Sequence, residues 1–216
     1  MARRAAGASA PGPPEPDYPT LESARAAALG CRACPLWRTG TQTVFGEGSP
    51  GAEAMLIGEQ PGDQEDRAGR PFVGPAGQLL DRALEEAGID RRRVYVTNVV
   101  KHFKWEPRGK RRIHKKPNSR EMAACRPWLE VEIALVKPRI IVCLGATAAQ
   151  ALIDPGFKVT QRRGELIPTT LADFIVATVH PSSILRARDG DARHVEMARF
   201  VEDLRIVARA RRSKPP

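Results

Sequence analysis

Four short apolar runs set the fold this chain can adopt. Ala54 to Gly58, Val94 to Asn98, Ile140 to Gly145 and Phe174 to His180 are too short for helices, rich in β-branched residues, and closed by Gly, Asn or His. Runs of this kind suit strands buried on both faces. Helical patterns separate them. Gly77 to Ala87 puts Leu79, Leu80, Ala83, Leu84 and Ala87 on one face, Ser119 to Val136 is helical with a disturbance expected at Pro127, and a further helix opens at Thr147. The alternation predicts an α/β fold of three layers, α/β/α, around a central, mainly parallel four-stranded sheet. Ligands of such sheets bind outside the carboxyl ends of the strands. The polar residues of interest stand at those ends.

The two ends of the chain read differently. Residues 1–19, rich in Ala, Pro, Gly and Arg, bury too little apolar surface to offset the entropy of ordering, and residues 209–216 form a basic tail. One domain is expected over 20–208, its last helix marked by Met197, Val201, Leu204 and Val207. Asp154 to Asp173 is a long connection with room for a small hairpin around Arg162, Arg163 and Gly164. Lys and Arg outnumber Asp and Glu by 35 to 25, a net charge of +10 that favours a polyanionic partner, nucleic acid first. The chain has no apolar run long enough to span a bilayer, and its first residues carry charge and proline where a secretory signal needs an apolar stretch. A cytoplasmic monomer with no membrane partner is the expectation.

Four cysteines in such a chain read as metal or redox ligands before they read as disulfides. Cys31 and Cys34 form C-x-x-C; Cys125 and Cys143 lie far downstream. Four thiolates fit a tetrahedral zinc or a [4Fe–4S] cluster, and the lack of a second C-x-x-C leans toward the cluster. Cys143, inside an apolar strand run, also fits a plain buried residue.

The strand-end loops carry the candidate chemistry. Glu59, Gln60 and Asp63 follow the first run, and Phe72 lies in the Gly–Pro-rich loop after them, where backbone can approach a ligand closely. Asn98 ends the second run and offers both a donor and an acceptor; taken singly it reads as a turn former. His180, Ser182 and Ser183 emerge together after the fourth run. Lys101 to Arg120 holds nine Lys or Arg among twenty residues, which on charge alone is a solvated basic loop touching phosphate.

Taken together, Gly-Glu-Gln-Pro-Gly-Asp at 58–63, Gly-Arg-Pro-Phe-Val-Gly at 69–74, Val-Thr-Asn-Val-Val-Lys-His-Phe at 96–103 and His-Pro-Ser-Ser at 180–183 resemble the signature loops of iron–sulfur uracil-DNA glycosylases. The first of these loops and the insert Lys-Arg-Arg-Ile-His at 110–114 are similar to the UdgX branch, which bonds itself to the abasic sugar. The resemblance implies that Cys31, Cys34, Cys125 and Cys143 ligate a structural [4Fe–4S] cluster, and that the partner is uracil-containing DNA, single-stranded or duplex. It implies that Phe72 stacks on the uracil, Asn98 reads its N3 and O4 edge, and Gln60 lines the pocket or contacts backbone. His180 would donate to uracil O2, and Glu59 or Asp63 would act near the sugar. His114 would attack C1′, while Lys110, Arg111, Arg112, Ser182 and Ser183 hold DNA. His102 is given no catalytic role. The other readings are a turnover glycosylase without capture and a non-catalytic cluster-bearing DNA-binding or redox-sensing module.

Overall fold

The structure is a computed structural model that describes residues 18–210. The tails expected at 1–19 and 209–216 lie almost wholly outside those residues. Tyr18 is described and stacks on Trp128, with ring centroids 5.6 Å apart.

The chain opens with α1 (Leu21–Ala28), whose Thr20 cap accepts from the Ser23 backbone N–H. A 3-10 turn at Pro35–Arg38 leads to β1 (Ala54–Gly58), α2 (Asp63–Ala68), α3 (Pro75–Glu86) and β2 (Val94–Asn98). A hairpin of β3 (Trp105–Arg108) and β4 (Arg111–His114) precedes α4 (Ser119–Val136) and β5 (Ile140–Leu144). Then come α5 (Ala146–Leu152), α6 (Val159–Arg162), β6 (Ile167–Pro168), β7 (Phe174–Thr178), α7 (Pro181–Leu185) and α8 (Gly190–Ala210). α4 runs past Pro127 as one element, so the expected disturbance does not divide it. No described helix is long and apolar enough to cross a membrane.

The main sheet has five strands in the order β2-β1-β5-β7-β6, one more than expected. The first four are parallel, and the two-residue β6 pairs antiparallel with β7; the hairpin expected around Arg162, Arg163 and Gly164 is replaced by α6, and the β6–β7 turn falls at 169–173. β6, two residues ending in proline, is too short to carry a strand pattern. Period two divides the core into two layers. Met55, Ile57, Tyr95, Ile141, Ile175 and Ala177 pack with Leu21, Ala24, Trp128, Leu129, Ile133 and Ala148 on one face. Leu56, Val94, Val96, Val142, Leu144 and Val176 pack with Leu80, Leu84, Phe200, Leu204 and Val207 on the other. Each fully buried aliphatic contributes roughly 1.5–3 kcal/mol, and every residue of β1, β2 and β5 is buried.

One charged network crosses the first layer. Lys101 Nζ, fully buried, donates to Thr97 Oγ1 at 2.7 Å, the Asn98 carbonyl at 2.7 Å and Glu132 Oε2 at 2.5 Å. Glu132 Oε1 accepts from the Gly46 N–H and the Tyr95 hydroxyl. A buried ion pair persists only when its remaining protons and lone pairs are also met, and here they are. The network ties the carboxyl end of β2 to α4.

Candidate active site

Gly58 closes β1 at the floor of a recess. A methyl group added to it would lie 2.4 Å from Asn98 Oδ1, 2.9 Å from Phe72 Cζ and 3.5 Å from His180 Nε2. Three side chains from three loops thus converge on one point, and the missing Cβ lets them approach it. Phe72 holds the left-handed backbone conformation, φ 55°, which a non-glycine residue adopts only at a cost of order 1–3 kcal/mol. The close passage of Gly77 makes it possible, since a Cβ there would strike the Phe72 carbonyl at 1.7 Å. The Phe72 and His180 rings stand 6.2 Å apart at 29°.

The protonation of His180 follows from its neighbours. It caps α7, and the Ser182 backbone N–H, which can only donate, points at Nδ1 from 3.2 Å. Ser182 Oγ lies 2.8 Å from the same nitrogen. Nδ1 is therefore an acceptor, and the neutral ring carries its proton on Nε2, the nitrogen facing the recess. Burial first, then the Arg186 and His114 charges, push its pKa down to about 4. Ser183 Oγ donates to the His180 carbonyl at 2.7 Å, so both serines brace this histidine.

Beside the recess stands a second group. Glu59 follows Gly58, and its Oε1 lies 3.3 Å from His114 Nε2. Its other oxygen, Oε2, accepts from the hydroxyl of Thr147. His114 is half-exposed, and its pKa is lowered by burial and by Arg186, against the Glu59 carboxylate and a hydrogen bond to its own backbone, both of which raise it.

The insert that carries His114 is a hairpin, not a loop, and it is fastened at three places. Gln60 Nε2 donates to the carbonyls of Lys104 and Lys115, and Gln60 Oε1 accepts the Lys104 N–H, so this side chain clamps both strands at the stem. Trp105 Nε1 donates to the Thr39 carbonyl. Arg112 bonds Asp63 and Asp66, and its guanidinium lies over the Phe103 and Trp105 rings at 5.3 and 5.5 Å. Strand alternation and the β3–β4 register put Trp105, Arg112 and His114 on one face, with Arg108, Arg111 and Ile113 on the other.

Two expectations change here. Arg112, expected on phosphate, is largely buried and paired to two carboxylates, so it anchors the hairpin; Lys110 and Arg111 remain exposed. Asp63, one of two candidates near the sugar, is bound to Arg67 and Arg112. Burial raises its pKa, but those two guanidinium groups outweigh burial and hold it below the usual carboxylate range. Glu59 is the carboxylate that stands free beside the recess, except for Thr147 and His114.

The cysteines separate into three and one. Cys125 Sγ accepts the Lys101 N–H at 3.1 Å, and Cys31 Sγ accepts Trp128 Nε1 at 3.2 Å. Burial pushes Cys125 up to about 12, and the charges of Lys101, Cys34 and Cys31 are all felt there. Cys143 is also pushed up to about 12, by burial alone. It stands on β5 level with Ile57 and Ala177, two strand spacings, about 10 Å, from β2. The structure does not bring it to the other three. His102 follows Lys101, whose N–H bonds Cys125, and is buried, with Nε2 3.1 Å from Thr43 Oγ1. That hydroxyl spends its one proton on the Ala28 carbonyl, so Nε2 is the donor and Nδ1 keeps its lone pair. Among the described residues no three His, Cys, Asp or Glu side chains close on a point suited to one metal ion.

The sheet brings an aromatic ring, an amide and a neutral imidazole together over a glycine at its carboxyl edge, where sheets of this kind bind their ligands. Residues 45–205 match the model of the uracil DNA glycosylase superfamily, and the chain belongs to that superfamily. It is 42% identical to a type-4 uracil-DNA glycosylase of Thermotoga maritima, over 76% of this chain and 83% of that one. A type-4 enzyme of Sulfurisphaera tokodaii is 43% identical over 77% and 76%. A type-5 uracil-DNA glycosylase of Thermus thermophilus is 33% identical over 57% and 67%.

Proposed function

We propose that the chain excises uracil from DNA and bonds the resulting deoxyribose C1′ to His114. The observation that carries this reading is the pair of Glu59 and His114, held at 3.3 Å beside the recess by a hairpin with three fastenings. Uracil, unstacked from the strand, enters over Gly58 and lies on Phe72. The Asn98 amide meets its N3–H and O4, an edge on which cytosine presents an amine and an acceptor instead. A mismatch leaves buried polar groups unpaired at roughly 1–3 kcal/mol each.

As the C1′–N1 bond breaks, its electron pair leaves with the base, and negative charge grows at N1 and O2. His180 Nε2–H donates to O2, a preorganised donor at the site of developing charge. Positive charge on the sugar faces Glu59. A proton on Nδ1 of His114, shared with its own carbonyl, leaves the Nε2 lone pair for C1′. The bond that forms is Nε2–C1′; the proton given up from Nδ1 balances the one taken by uracil. Lys110 and Arg111 contact the phosphates, with Ser182 and Ser183 bracing His180. Mass spectrometry after incubation with a short uracil oligonucleotide tests this: the expected species is protein plus oligonucleotide minus one uracil. Free uracil with an unshifted protein mass defeats capture and leaves ordinary turnover.

The donor set suits a [4Fe–4S] cluster, because three sulfurs that sense one another without closing on a point match separate corners rather than one ion. Cys31, Cys34 and Cys125 would hold it, with His102 Nδ1 as the fourth ligand in place of Cys143. Such a group would cross-link the segment after α1, the turn after β2 and α4, and would supply rigidity. Cys143→Ala is expected to keep the iron content and visible absorbance of the purified protein, and His102→Ala to lower both. Loss of iron in the cysteine variant alone would restore the four-cysteine set.

A further inference from the structure

Thr147 belongs to none of the signature loops, yet its hydroxyl reaches the centre of the site. It is the second residue of α5, buried at 5% exposure, where the chain turns sharply after β5 through Gly145. That glycine has φ 94°, and a Cβ on it would stand 3.0 Å from His180 Cβ, so the turn is wedged against the neighbouring loop. Its N–H donates to the Thr178 carbonyl at 2.8 Å, which locks the turn to the end of β7. The position of Thr147 is thus set by backbone, and a β-branched side chain has few rotamers with which to depart from it.

We infer that Thr147 is a positioning residue that orients Glu59 and thereby decides whether His114 or water reaches the sugar. The inference rests on the capture reading. A hydroxyl has one proton, and here it is given to Glu59 Oε2. The carboxylate plane is then fixed, and Oε1 faces His114 Nε2. Without the hydroxyl the carboxylate is free to turn about its terminal torsion, which is broad and soft for an sp² group. The imidazole on the half-exposed strand end would lose the fixed carboxylate that faces it, and solvent would compete for C1′. No other described side chain bonds Oε2, so no second contact preserves the geometry once Thr147 is changed.

The test follows single-turnover uracil release and the division of product between covalent adduct and free abasic DNA. Thr147→Val keeps the volume and removes the hydroxyl; Thr147→Ala subtracts atoms only and serves if the valine does not fold. Both are expected to slow release and to raise the free fraction about 10- to 100-fold, the scale of a small misplacement of reacting groups. Thr147→Ser is expected to restore the wild-type division, which a role in packing alone would not require. In a Glu59→Gln background the valine should add nothing, since both changes act through one carboxylate. An unchanged division and rate in Thr147→Val, or losses that add to those of Glu59→Gln, overturns the inference. If wild-type protein makes no adduct, capture falls, and the release rates in the same cycle still decide whether Thr147 acts through Glu59.

Discussion

Alanine at position 114 should leave uracil release in place and remove the covalent product altogether. Release depends on Phe72, Asn98 and His180 around Gly58 and on the Glu59 carboxylate, all of which remain when the imidazole is removed. Capture depends on a nucleophile already beside C1′. Well-placed intramolecular groups act at effective molarities of about 10⁵ M or more, beyond anything solvent can supply, so the imidazole takes nearly every sugar cation while it is present. Its loss should therefore convert a single-turnover protein into a multiple-turnover one, read as free abasic DNA on a denaturing gel. The side chain is half-exposed and bonded through one nitrogen, so its removal opens no core cavity. A heat- and detergent-resistant band surviving in His114→Ala would refute the assignment.

His180→Ala should lower the rate of uracil release by about 10²–10³-fold, the usual consequence of removing one donor at a developing oxyanion. The same variant carries a stability signature. Folded His180 is pushed to about 4 from an ordinary value near 6.5, so the unfolded chain binds this proton more readily between those limits. Stability attributable to the neutral ring is present above pH 6.5 and is lost as pH falls through 4, by up to about 3 kcal/mol. The alanine variant should show a shallower fall in unfolding free energy from pH 7 to 4. Parallel pH curves for the two proteins, with release unchanged, would remove His180 from the oxyanion role.

Much of the pocket was legible because its residues are local to strand ends. β1 and β2 begin and end where their apolar runs do, with Gly58 and Asn98 at those ends, while β7 stops at Thr178, two residues before His180. The insert was legible as basic but not as folded. A charge count treats Arg111 and Arg112 alike; the structure separates them because Asp63 and Asp66, more than forty residues earlier, face one side of β4 only. Gln60 could be read as lining a pocket or touching backbone, and it does the second, for a stem whose two strands the sequence did not pair. Residue type and the family resemblance group Cys143 with the other cysteines and pass over His102 beside Lys101; the strand order, which puts Cys143 on β5, is what favours the proposed exchange. Thr147 left one faint signal, a hydroxyl two residues past the glycine that closes a buried strand.

What the sequence alone determined is what short-range physics controls: apolar runs that must be buried as strands, helices between them, and small or polar residues where each strand stops. The tertiary structure alone decided which charges are spent on one another and which are left for a ligand. Pairing energies depend on distance in space and on burial, and neither can be computed from separation along the chain until the sheet order places Glu59 between Thr147 and His114.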